Sequence, residues 1–213
     1  MQFVPQVQIS CSFNLPKYFK LDTDLFSIIA PGNGYTGGHS WTQSYTGNSP
    51  ASSAVMYKIT DPVNNTALDI HEYLDSDFSG SHSNCTQSGP TNLAPLTAWL
   101  KQYGLKAMIT EFGAANGTQC SSYVTDIIKY MAANDEYIGW TAWAAGPFWG
   151  TSSPCCSDSK NWGSLEPGSK AADGTPGMYA SVWQGDIQPL LPTTLQKSGI
   201  SSIHGPGANA THS

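Results

Sequence analysis

Four short apolar runs punctuate the chain, and three of them end in polar or special residues at one interval. Leu25-Phe-Ser-Ile-Ile-Ala30 leads into Pro31-Gly32-Asn33, Ala67-Leu-Asp-Ile70 into His71-Glu72-Tyr73, and Lys106-Ala-Met-Ile-Thr110 into Glu111-Phe112-Gly113. Pro31, His71 and Glu111 stand 40 positions apart. A fourth run, Tyr137-Ile-Gly-Trp-Thr-Ala-Trp143, follows sooner. Runs of this length, rich in Ile, Leu and aromatic residues, predict strands buried on both faces, over 25–30, 67–71, 106–111 and 137–143.

Helical spacing appears between them. Leu93, Leu96, Trp99 and Leu100 make one stripe, with Asn92 as its expected N-cap and Gly104 just past its end. Tyr123, Ile127, Tyr130 and Met131 make another, preceded by Ser121 and Ser122. A weaker helix over Ser53 to Thr60 stops at Asp61-Pro62. Strands alternating with helices build a parallel sheet, in either a doubly wound fold or a (β/α)8 barrel. No glycine-rich phosphate loop follows a strand, which weighs against the dinucleotide-binding form of the first. His71, Glu111 and Trp143 stand at strand carboxyl ends, where barrels place their chemistry. The fold class expected is therefore an α/β TIM (β/α)8 barrel of which four units, half the barrel, are visible.

Composition narrows the function. Charged residues are 11% and aromatics 11%, with 7 Trp, 10 Tyr, 7 Phe, 21 Gly and 14 Pro, which suits both a plain loop-rich α/β protein and one that grips flat neutral ligands by stacking. The net charge of −6 excludes a nucleic-acid partner, because no basic stripe exists to neutralise phosphates. All nine basic residues are lysines. No apolar stretch approaches the ~20 residues that cross a membrane, and Met1 to Phe19 has no signal-peptide pattern. Asn64, Asn84, Asn116 and Asn209 begin Asn-x-Ser/Thr sequons, and five cysteines leave at least one unpaired within the chain.

Four motifs in order carry a family resemblance: Pro31-Gly-Asn-Gly-Tyr-Thr-Gly-Gly-His-Ser-Trp41, Asp69-Ile-His-Glu-Tyr-Leu-Asp-Ser-Asp77, Ile109-Thr-Glu-Phe-Gly113 and Gly139-Trp-Thr-Ala-Trp-Ala-Ala-Gly-Pro147. From about Ile28 to Ile203 the chain resembles glycoside hydrolase family 5, in particular its fungal cellulases. The resemblance implies a barrel that hydrolyses β-1,4-glucan with retention, outside the cell. It also implies that the four strands are the fifth to eighth of that barrel, so that residues 25–190 form the C-terminal half of a catalytic domain. Residues 1–24 match no recognisable unit, and 191–213, rich in Pro, Ser, Gly and Thr, are expected to be a surface tail.

By the same resemblance Glu111 is the nucleophile, with His71 and Tyr73 supporting it. Those two lie two apart and share a strand face, whereas Glu72 points the other way. A Glu ending a buried run, or an isolated His-x-Tyr, would otherwise be a cap, a solvated loop residue or ordinary core. Trp143 matches the floor of the subsite beside the cleaved bond. Trp41, Tyr35 and Trp149 sit where further subsites would lie, and Asn33 and His39 are candidates for sugar-hydroxyl contacts. Trp140, Trp99 and Trp183 are assigned to packing. Related cellulases carry a disulfide where Cys85 and Cys120 fall. No cofactor and no metal site is expected, since His39, His71 and His82 lack ligand spacing and Cys155-Cys156 is not a zinc pattern.

Two features depart from the family. Its acid/base is a Glu after an Asn, and no Asn-Glu dipeptide occurs here; the remaining glutamates are Glu72, Glu136 and Glu166. Its nucleophile is held by an arginine, and this sequence has none. The expectation is an endoglucanase piece lacking the acid/base; a non-catalytic glucan-binding half-barrel is the alternative, and an unrelated α/β protein a third reading. Open sheet edges would invite self-association.

Overall fold

The computed structural model describes residues 28–44, 49–62, 64–145, 164–170, 174 and 177–192. Strands β1 (Ile28–Pro31), β2 (Thr66–Tyr73), β3 (Ala107–Gly113) and β4 (Tyr137–Ala142) form one sheet. Its order is β1-β2-β3-β4, and every neighbouring pair is parallel. Helices α1 (Ser53–Met56), α2 (Gly89–Tyr103) and α3 (Thr118–Ala132) connect successive strands, and a π-helical segment spans Tyr179–Ile187. This is the half-barrel arrangement expected. Leu25 to Ser27, the segment 1–24, Cys11, Trp149, Cys155, Cys156, Asn209 and the tail from 193 onward lie outside the described residues.

One face of the sheet is packed by helices. Leu68 and Ile70 of β2 and Ala107, Ile109 and Phe112 of β3 are buried together with Leu93, Leu96 and Leu100 of α2. Val124, Ile127, Ile128 and Met131 of α3 complete the cluster. Each of these side chains larger than alanine contributes about 1.5–3 kcal/mol by leaving water. The other face is only partly covered: Asp69, His71, Tyr73 and Thr110 are half-buried and Thr141 is exposed. The strands thus read as two-face-buried runs in sequence but alternate in burial here.

Helix α2 begins earlier than its stripe implies, with Ser88 as N-cap and Pro90 in the first turn, where its missing N–H costs nothing. Asn92 is therefore inside the helix, and its amide donates to Glu72 Oε1 at 3.1 Å instead of capping. Gly104 ends α2 at φ 64, a left-handed position that glycine fills without steric cost. Helix α3 likewise starts before Ser121, at Thr118, so that Cys120 falls in its first turn. Cys120 is bonded to Cys85 with Cα atoms 5.1 Å apart, tying α3 to the loop after β2.

The β2–β3 register breaks once. Ile70 lies opposite Ile109, but His71 lies opposite Glu111, so Thr110 is an extra residue in β3. Such a bulge rotates the following side chain relative to strict alternation.

Candidate active site

The bulge at Thr110 brings Glu111 beside the residues that end β2. Tyr73 Oη donates to Glu111 Oε1 at 2.6 Å. On the other carboxylate oxygen, His71 Nδ1 stands 3.7 Å from Oε2. The second ring nitrogen of His71 faces Asp69 Oδ1 at 3.9 Å, so the imidazole sits between two carboxylates. All three groups are only partly exposed, which shields them less than a closed interior and more than open water.

A polar ladder lies one layer below. Thr36 Oγ1 donates to the Asp69 carbonyl, Thr110 Oγ1 to the Asp69 carboxylate, and Thr141 Oγ1 to the Thr110 carbonyl. These bonds tie the loop after β1 to β2, β3 and β4, one residue before Glu111 on β3. The sequence held one signal for Asp69, since it alternates with His71 and Tyr73 on one strand face; nothing signalled the bulged Thr110.

Trp143 follows β4 with half its surface exposed (50%), and its backbone N–H donates to the Phe112 carbonyl at 2.8 Å. Its peptide bond to Ala144 is cis. Gly113 fits between this segment and Tyr73. A β-carbon on Gly113 would lie 3.0 Å from the Trp143 carbonyl oxygen and 3.4 Å from Tyr73 Cε1. Glu111, Tyr73 and the backbone of Trp143 therefore meet at one end of the sheet.

The loop after β1 distributes its candidates differently. Tyr35 is 85% exposed, in a left-handed turn that continues through Thr36. Trp41 corrects the expectation of a sugar platform: it is 1% exposed, packed edge-on against Trp99 at 5.7 Å, and no face is left for a ligand. Asn33 spends its side-chain amide on the Pro50 carbonyl at 2.9 Å, holding the loop closed. His39 stacks on Phe78 with centroids 3.6 Å apart and turns Nδ1 to Glu72 Oε2 at 3.2 Å. Glu72 faces the helices, as its strand position implies, and is fully buried. It accepts from the His39 backbone N–H at 2.9 Å as well as from Asn92.

The loop after β2 is organised by Asp75. This buried carboxylate accepts from Ser79 Oγ, from the backbone N–H groups of Gly80, Ser81 and His82, and from His82 Nδ1, all within 3.0–3.2 Å. The Asp75 bond, then the Asp77 charge, raises the His82 pKa above its ordinary value. The Ser79 hydroxyl holds Asp77 below the usual carboxylate range. On the helix side, burial pushes the Tyr137 phenol up despite its 2.7 Å bond with Thr97.

Four parallel strand–helix units, with a carboxylate, a hydrogen-bonded tyrosine, a histidine and an exposed tryptophan at their carboxyl-terminal end, define the class: part of a (β/α) barrel with its polar groups where such barrels place their chemistry. Residues 22–148 match the family described as cellulase (glycosyl hydrolase family 5), and the chain belongs to that family. It is 62% identical over 178 residues to Endoglucanase 1 of Robillarda sp. (strain Y-20), covering 84% of this chain and 45% of that protein. Endoglucanase EG-II of Hypocrea jecorina is 35% identical over 116 residues, 52% of this chain and 28% of that protein. The chain thus spans less than half the length of these relatives. Among solved structures, XacCel5A in complex with cellopentaose superposes with a TM-score of 0.59 at 34% identity, over 72% of this chain and 46% of that one. The endo-β-1,4-glucanase Xac0029 from Xanthomonas axonopodis pv. citri gives 0.62 at 28% identity, over 76% and 47%.

Proposed function

We propose that these residues are the nucleophile-bearing part of a retaining endo-β-1,4-glucanase that acts outside the cell. The observation that carries this is the 2.6 Å bond from Tyr73 to Glu111 beside an exposed Trp143. Glu111 attacks the anomeric carbon in this reading. Tyr73 and His71 hold its carboxylate in line, and Trp143 offers an indole face to the sugar C–H surface. Tyr35 is the exposed aromatic suited to a more distant sugar. The family and its endoglucanase relatives support β-1,4-glucan as substrate, and the buried Cys85–Cys120 disulfide supports an oxidising compartment.

A retaining glycosidase needs a second carboxyl group ~5 Å from the first to protonate the leaving oxygen. Glu72 is buried against the helices, and Glu136 precedes β4, at the far end of the sheet, 3.8 Å from Lys101. Glu166 stands at the right end, because the neighbouring Leu165 N–H donates to the Ala144 carbonyl at 3.0 Å. Its surroundings match no acid/base motif, so these 213 residues are read as lacking the acid. General acid catalysis contributes roughly 10²–10⁴-fold, and an activated leaving group makes it dispensable.

The test is labelling with a dinitrophenyl 2-deoxy-2-fluoro-cellobioside, read by peptide mass spectrometry. The expected result is one slow adduct on Glu111, with no cleavage of carboxymethyl cellulose. Turnover of that polymer, lost in both Glu111→Gln and Glu166→Gln, would assign the acid role to Glu166. Binding of cello-oligosaccharides without any adduct would favour the second reading, a glucan-binding half-barrel.

A further inference from the structure

Asn64 sits in the turn between α1 and β2, exposed and left-handed at φ 53. Its N–H donates to the Asp61 carbonyl at 3.1 Å, closing the turn. Asp61 Oδ2 then accepts from the Asn65 N–H and from Thr66 Oγ1, both at 2.7 Å. This leaves Asn64 at the tip of a braced loop, with Thr66 two positions on. We propose that Asn64 is an N-glycan acceptor, favoured over the other described sequons because no disulfide lies within it and it stands away from the strand ends that carry Glu111. The proposal rests on the extracellular reading, since the donor is met in the secretory pathway.

The turn by itself explains an asparagine, because Asn tolerates the left-handed region better than most residues, but glycine would serve it equally. A hydroxyl residue two places on and an exposed asparagine are what an acceptor needs in addition. The other two described sequons are constrained differently, although Asn84 and Thr86 are exposed as well. In Asn84-Cys85-Thr86 the middle residue is buried and disulfide-bonded, and Thr86 N–H is held by the Leu74 carbonyl at 2.8 Å, so oxidation competes with modification. Asn116 is half-buried where β3 turns into α3. Both lie at the strand ends that carry Glu111. Asn64 precedes β2, and at ~3.3 Å per residue it is roughly 20 Å from His71. A bulky glycan there leaves the cleft open and covers the opposite end of the sheet.

In the transfer, Asn64 Nδ2 forms a bond to the anomeric carbon of a polyprenyl-pyrophosphate-linked oligosaccharide. The bond from that carbon to the pyrophosphate oxygen breaks, the polyprenyl pyrophosphate leaves, and the amide gives up one proton.

Expression of the full chain behind a secretion leader in yeast, followed by endoglycosidase H and peptide mass spectrometry, tests this directly. Most Asn64 peptides should keep one residual N-acetylhexosamine, with lower occupancy at Asn84. Asn64→Gly, which preserves the left-handed turn, should lose the corresponding gel shift. A bare Asn64 in molecules whose Cys85–Cys120 bond has formed, or higher occupancy at Asn84, would overturn the proposal. Bare Asn64 together with reduced cysteines would sink the extracellular reading and the proposal with it.

Discussion

Tyr73 and Glu111 meet at 2.6 Å across two adjacent parallel strands, in a contact that exists because β3 carries one residue more than β2 at this point. A neutral O–H given to a carboxylate is worth about 1.5–3 kcal/mol. Tyr73→Phe should therefore slow adduct formation at Glu111 by roughly 10- to 100-fold, the rate equivalent of that energy. Its thermal midpoint should stay close to that of the parent. A time course of intact-mass labelling measures the rate, and equal rates would remove Tyr73 from the assigned role.

Two tryptophans should separate stability from binding. Trp41→Ala empties a buried site and should cost about 3–5 kcal/mol in denaturant unfolding. Trp143→Ala removes a half-exposed ring, should cost about 1 kcal/mol, and should weaken cello-oligosaccharide retention in affinity electrophoresis. The reverse pattern would return Trp41 to the cleft.

Glu72 is a buried carboxylate held by donors from the β1 loop and α2. Glu72→Ala leaves the His39 N–H and the Asn92 amide without their acceptor, and should destabilise the protein by about 3 kcal/mol. Loss of the His39–Phe78 stack, visible as faster proteolysis of the 33–43 loop, should accompany it.

The raised pKa of His82 links stability to pH with a definite sign. Its folded value exceeds its unfolded value near 6.5, so its contribution is complete below that pH and disappears as pH rises through the folded value. The thermal midpoints of the parent and His82→Gln should therefore converge between mildly acidic and alkaline pH. A gap that widens with rising pH would contradict the assignment.

Reducing the Cys85–Cys120 bond, which closes a separation of 35 residues, should cost about 3–4 kcal/mol. Urea titration with and without reductant reads the difference.

The staves and the ends of β2 and β3 were legible in sequence, because apolar runs stop where side chains must meet water or substrate. His71 and Tyr73 share a face simply by being two apart. Glu111 does not follow from alternation, since strict phasing would put Thr110 and Phe112 on one side; the bulge is a property of the pairing of two strands, invisible in either alone. Trp41 was misread for a related reason. Its loop folds back onto α2, where Trp99 waits, and no local pattern distinguishes a loop aromatic at the rim from one tucked inward. Asn92 resembled a cap until a buried carboxylate from β2 claimed its amide.

Gly113 is defined by the contacts a β-carbon would have there with the Trp143 carbonyl and the Tyr73 ring. In a saturation mutagenesis scan this position would read as intolerant although it has no side chain to lose. Any side chain placed there would press first on the Trp143 carbonyl, at 3.0 Å from its β-carbon, with the Tyr73 ring in contact on the other side. Laboratory evolution can then resculpt the rim around Tyr35 freely, while the floor between positions 73 and 143 stays frozen at the width of a missing methyl group.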